Sequence, residues 1–306
     1  MKLFDLNTQK IKEVGQVPFK LEKDIQKLVE TNIETFFGLR FIVSEFPVDK
    51  YRIDTMCYNE ETNSFVIIEY KKGDSYSVID QGYTYLQLLL NHKSDFVLML
   101  SNHYNKVFNL KDIDWSQSRI LFVSPSFNSY QKDSVNFKDL PFELWEITRY
   151  SNNNITLNQH RSNSRVSIDS INTESPSSTL SQVSREVKVY SEEYHLNRCT
   201  DETIQVYNDI RNRILEMGSD ITFVPRQNYI GFKRKSNFVD IEFTKNFLKV
   251  TLNLRKGQLN DPMGLTEDIT DIGHWGNGDY RVNKVNGETD LDYLMVLIKS
   301  SYKNQS

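Results

Sequence analysis

The sequence predicts a chain of the α/β (α+β) class in two units, a mixed sheet flanked by helices and then a small α+β domain. Three observations predict it. The first half reads helix, three strands, helix and then further short apolar runs, the order of a mixed sheet with a helix on each side. A stretch dominated by Ser, Asn and Thr follows, over residues 151–186. The last third sets a run of short strands between two helical segments.

Taken in order, Leu21, Ile25, Leu28, Val29, Ile33, Phe36 and Phe37 recur at helical spacing over 21–37, and Gly38 ends the helix. Strand-like segments follow at 40–46, 51–58 and 65–71, then a second helix at about 76–92. Apolar runs at 95–100, 120–124 and 142–148 are each short enough for a strand. The polar stretch after them cannot bury enough surface to offset its ordering entropy, so a flexible linker is expected over 151–195, with domains at 1–150 and 196–306. In the second domain, 202–217 predicts a helix, and 221–225, 229–233, 238–243 and 248–254 predict strands. A Gly-rich loop, GHWGNGDY, leads to a closing helix at 291–302.

Composition bounds the function. With 38% hydrophobic residues, 18 Phe and 16 Tyr, both halves can build a core. No apolar run reaches the roughly 18 residues of a membrane span, and MKLFDLNTQK has no signal-peptide pattern. A soluble, cytoplasmic protein without a membrane partner is expected. Cys57 and Cys199 lie far apart, with no disulfide framework or zinc spacing. The net charge of −4 argues against a module that only binds DNA, but not against a nuclease, whose site concentrates carboxylates around a divalent cation.

The informative stretch is YRIDTMCYNEETNSFVIIEYKKGDSYSVIDQGYTYLQLLLNHK. Strand alternation puts Ile67, Glu69 and Lys71 on one face and Val66, Ile68 and Tyr70 on the other. A carboxylate and an ammonium, about 6.6 Å apart along the strand, thus close a core-strand sequence. Asp54 on the preceding strand can reach Glu69 if the two strands form an antiparallel hairpin. Two converging carboxylates repel unless a cation or proton intervenes, and an all-oxygen shell suits Mg²⁺ or Mn²⁺. Lys71 can orient a water or stabilise charge on phosphate. A structural ion pair is the competing explanation. The histidines show no triad or metal spacing, and His274 in the Gly-rich loop reads as a turn cap. No nucleophile motif or phosphate-binding loop is present.

Asp54, a fourteen-residue gap and then Glu69-Tyr70-Lys71 resemble the D…ExK signature of the PD-(D/E)XK nuclease superfamily. Gln81 and Tyr85, one helical turn apart, resemble the QxxxY motif of its RecB-like members, and residues 1–150 look like the nuclease domain of NucS-type endonucleases. Ile53 stands where the superfamily name has proline. The resemblance implies a restriction-endonuclease-like fold and a Mg²⁺- or Mn²⁺-dependent deoxyribonuclease acting in DNA repair or host defence; nucleases of this fold often act as homodimers, but no interface stripe is readable in the sequence. Asp54, Glu69, Lys71, Gln81 and Tyr85 would form its site, and the Tyr70 carbonyl would join the metal ligands. It also implies an acidic residue on the first helix. At about 100° per residue, Glu22 falls about 40° from the centre of the apolar arc and Glu30 about 120° away. A carboxylate on the core side needs something to bind, so Glu22 is favoured as metal ligand and Glu30 retained as the alternative. The residues after 200, with DPMGL, GHWGNGDY and LDYLMVLIKSSY, resemble a domain of unknown function found behind such nuclease domains.

For DNA contact the candidates are Arg52 and Lys72 beside the site, and Lys233, Arg234 and Lys235, which alternate with Tyr229, Phe232 and Phe238. A basic hairpin turn is the plainer reading of the second set. The rival function is a sensor that binds nucleic acid or a nucleotide without cutting.

Overall fold

A computed structural model describes residues 2–6, 10–72, 78–137, 139–162, 164, 179–272 and 278–304. The chain divides into two compact units, 1–189 and 190–306. His274 and most of its Gly-rich loop lie outside the described residues, as does most of 163–178.

The first unit opens with a two-stranded antiparallel ribbon, β1 (Leu3–Asp5) and β2 (Lys12–Val14). The helical stretch expected over 21–37 is broken in two, α1 (Glu22–Thr31) and α2 (Ile33–Phe37), because the Asn32 side chain donates back to the Leu28 carbonyl at 2.8 Å. Gly38, at φ 64°, supplies the left-handed residue that stops α2. Next come β3 (Arg40–Val48), β4 (Tyr51–Asn59), β5 (Ser64–Tyr70), α3 (Val78–Asn91), α4 (Lys93–Tyr104), β6 (Arg119–Ser124), α5 (Ser129–Ser134), β7 (Phe142–Arg149), β8 (Ile155–His160) and α6 (Thr179–Glu186). The sheet order is β3-β4-β5-β6-β7-β8, parallel only between β5 and β6 and between β6 and β7.

Central strand β5 is buried along its whole length, which is why it reads as an unbroken apolar run. Phe65 and Ile67 pack into the core that includes Leu86 and Leu89 of α3, whereas Val66, Ile68 and Tyr70 pack with Ile25 and Val29 of α1. The mixed sheet is therefore covered by helices on both faces, as expected.

Two expectations are corrected. The 95–100 run belongs to helix α4, not a strand: Phe96, Val97 and Leu100 are buried at helical spacing while Leu98 is 61% exposed. Nor is 151–195 connector throughout. β8 pairs with β7 over six residues, from Arg149↔Ile155 to Leu144↔His160, and Val183 and Val187 join the first unit's core beside α3. A half-exposed edge strand needs few apolar residues, so its composition resembles a linker.

In the second unit, α7 (Glu192–Leu196) and α8 (Asp201–Glu216) precede β9 (Thr222–Pro225), β10 (Tyr229–Lys233), β11 (Asn237–Phe243), β12 (Leu248–Leu252), β13 (Glu267–Asp268), β14 (Tyr280–Val285) and α9 (Leu291–Lys303). The sheet, in the order β13-β14-β12-β11-β10-β9, is wholly antiparallel. Its core combines Ile210 and Ile214 of α8, Leu294 and Ile298 of α9, and inward residues such as Ile230, Ile241 and Val250. Among the described residues no helix is long and apolar enough to cross a membrane.

Candidate active site

The site forms where β4 and β5 part. Their ladder runs from Asn59↔Ser64 to Thr55↔Ile68 and stops there. Beyond it the Tyr70 N–H finds no strand partner and donates instead to Asp54 Oδ2 at 3.1 Å. The carboxylate thus takes the place of a ladder carbonyl. The Tyr70 carbonyl points to the same side as its N–H, as in any extended residue, and so faces the same gap. The freed stretch of β4 is held from both faces of the sheet: Gln26 of α1 donates to the Asp54 carbonyl at 3.1 Å, and the Tyr85 hydroxyl of α3 donates to the Arg52 carbonyl at 3.2 Å.

Glu69 lies across the gap, 4% exposed. Lys71 Nζ and Gln81 Nε2 both donate to its Oε1, at 2.8 and 2.6 Å, and the Gln81 amide also reaches the Tyr85 hydroxyl at 3.1 Å. Among the described residues Glu69 Oε2 is buried with no hydrogen-bond partner. Burial, and then the neighbouring Asp54, push the Glu69 carboxyl up to about 7, against Lys71 and Gln81, which pull it down. Burial likewise raises Asp54, with the Tyr70 N–H opposing. Both carboxyls are thus held above their ordinary range with, among the described residues, only the Lys71 ammonium beside them, a shortage of positive charge.

That shortage is the chemistry a divalent cation answers. The described residues contain no group of three or more His, Cys, Asp or Glu placed to hold a metal. Any ion here would rest on two carboxylates, a backbone carbonyl and water. Such a sparse oxygen set suits Mg²⁺, which keeps several of its waters, and the unbonded Glu69 Oε2 is a ready ligand.

The helix carboxylates divide differently from their expected burial. Glu22 is exposed, not on the core side, because Leu21 is the exposed N-cap rather than part of the buried stripe. Glu22 nevertheless reaches the end of β5, where its Oε1 accepts from the Lys72 N–H at 2.8 Å, and its charge is felt at Asp54. Glu30 is half-buried and structural: its Oε1 accepts from Gln26 at 2.9 Å and from Thr55 Oγ1 at 2.6 Å, and Thr55 contacts the Tyr70 hydroxyl at 3.1 Å. Gln26, missed in the sequence, organises this side by bonding Glu30, Ser44 and Asp54. A buried glutamine among apolar helix positions was the available signal.

Of the basic candidates, the Arg52 side chain pairs with Glu45 at 2.6 Å rather than joining the carboxylates, and Lys72 Nζ donates to the Lys20 carbonyl. The alternating set in the second unit is not a stacking platform. Tyr229, Phe232 and Phe238 are buried in the core, and Arg234 is paired with Asp220 and stacked over Tyr302. Lys233 and Lys235 flank that pair at the end of the β10 hairpin.

A protein of Haemophilus influenzae, described as an uncharacterized protein, is 41% identical over 305 residues, covering 99% of this chain and 100% of the relative. This chain belongs to that protein's family. Residues 192–305 also match a family described as a domain of unknown function, DUF5655, which fits the expectation for the second unit. Solved structures with some likeness include a repair endonuclease from Pyrococcus abyssi, at 18% identity over 39% of this chain and 44% of that one, TM-score 0.21. Another is an EndoMS–dsDNA complex, at 15% identity over 48% of this chain and 64% of that one, TM-score 0.22. At these scores the likeness carries no inference about activity.

Proposed function

We propose that the first unit is a Mg²⁺- or Mn²⁺-dependent DNA endonuclease that hydrolyses phosphodiester bonds at Asp54, Glu69 and Lys71. One observation carries the reading: a buried carboxylate, beside a second one, presents an unbonded oxygen while two donors fix its other oxygen. An unsatisfied buried acceptor costs about 1–3 kcal/mol, which a cation at Oε2 would offset.

Asp54, Glu69 and the Tyr70 carbonyl would hold the cation, with Glu22 at the open side of the site. The bound ion would supply the positive charge that neutralises the carboxylate pair and polarises a phosphate oxygen. Lys71, fixed by Glu69, has further N–H protons with which to hold the attacking water and to stabilise charge building on the phosphate. Gln81 keeps Glu69 Oε1 occupied, which would leave Oε2 to hold the ion. Tyr85 in turn holds Gln81 and the Arg52 carbonyl in place.

Cleavage of plasmid, branched and single-stranded DNA with Mg²⁺ or Mn²⁺ tests the proposal. Cutting is expected from the wild type, and loss of it by a factor of about 100 or more from Glu69→Ala and Lys71→Ala. Retained cutting by either variant refutes the assignment. DNA binding without any cutting would favour a sensor instead.

A further inference from the structure

Several cations of the first unit are spoken for: Lys23, Arg40, Arg52, Lys93, Arg119 and Lys132 each pair with a glutamate. Among the described residues Lys20, Lys27 and Arg149 make no ion pair, and they line one groove along the outer side of α1 with Asp24, Leu28, Thr31 and Asn32. The groove's one carboxylate, Asp24, caps the Leu21 N–H through Oδ2 at 3.0 Å and offsets one of the three positive charges. Arg149 projects from the end of β7 over the Phe19 ring, 5.0 Å from its centroid, and gives one N–H to the Pro18 carbonyl. Its Nε is buried without a partner. The groove adjoins the active site, because Lys72 donates its Nζ to the Lys20 carbonyl and its N–H to Glu22.

In a protein of net charge −4, three cations with one carboxylate among them, beside a carboxylate–lysine site, form a local excess of positive charge that suits a polyanion. Lys20 precedes the N-cap Leu21 and Lys27 lies on the second turn of α1, and both line the groove. We propose that this groove holds the phosphate backbone of the DNA strand on one side of the bond to be cut. The inference rests on the nuclease reading for its ligand, but it stands or falls on binding rather than on cleavage.

The test is anisotropy of a fluorescent 30-base-pair duplex in EDTA, titrated with the full-length protein at several salt concentrations. Neutralising Lys20, Lys27 and Arg149 together to Gln is expected to weaken binding by about tenfold or more and to flatten the log K against log salt slope by about 2–3. Lys106→Gln with Lys111→Gln, on a different face of the first unit, is expected to change neither. If the triple variant unfolds, Lys27→Gln alone, at an exposed position, is expected to reduce the slope by about 1. An unchanged slope in the groove variants, or no binding by the wild type, overturns the proposal. Groove-dependent binding without cleavage in Mn²⁺ would support it while refuting the nuclease reading. Groove-independent binding with cleavage would do the reverse.

Discussion

At the scale of single residues, burial decides which polar groups act and which only hold the fold. Glu69 and Glu30 each take two donors on one oxygen, but Glu30 is only half-buried, whereas the second oxygen of Glu69 is buried without a partner among the described residues. The same accounting explains His195 in the second unit. It is fully buried, its Nε2 lies 2.7 Å from the Arg226 carbonyl, and its Nδ1 lies 2.9 Å from Arg198. It is held neutral, Nε2 donating and Nδ1 accepting. Burial lowers its pKa to about 4 from 6.5. Because the folded value is depressed, the stability it contributes is present above about pH 6.5 and is lost as pH falls through about 4. Linkage puts the full loss at about 3 kcal/mol. Denaturant unfolding of the second unit at pH 7 and pH 4 should show the wild type losing about that much more than His195→Gln; equal losses would contradict the tautomer assigned.

At the scale of elements, the sequence was readable where periodicity and burial agree and opaque where they separate. β5, buried on both faces, and α8, with its apolar stripe, were placed from pattern alone. The run at 95–100 was not, since six apolar-rich residues fit strand or helix equally and only length arbitrates. β8 escaped because ITLNQH is polar enough for solvent on an edge. Within the site, strand alternation pairs Glu69 with Lys71 and one helical turn pairs Gln81 with Tyr85, but the meeting of the two pairs is expected only from the family resemblance. The insertion of Asp54 into the broken ladder follows from neither pattern, because it depends on where β4 leaves β5. The packing of α3 on the sheet offers a test with a definite sign. Helix propensity alone predicts that Gly82→Ala stabilises by about 1 kcal/mol. A Cβ there would lie 2.7 Å from the Phe142 ring in the core, and overpacking costs about 1–3 kcal/mol. Thermal unfolding of Gly82→Ala should therefore show a lower Tm, and a raised one would mean that α3 sits farther from β7.

At the scale of the molecule, each unit owns a hydrophobic core and a complete sheet. Residues 190–306 expressed alone are expected to unfold cooperatively, as a domain with its own core does. A broad, non-cooperative melt would show that this unit depends on the first. The division also locates the chemistry, for every group assigned to the reaction lies in the first unit. What binds those groups together is an expected positive charge in the gap between β4 and β5. Calorimetric titration of the intact protein with Mn²⁺ measures that directly. The expected result is saturable uptake that disappears in both Asp54→Asn and Glu69→Gln; uptake unchanged in these variants, or none in the wild type, would contradict the account.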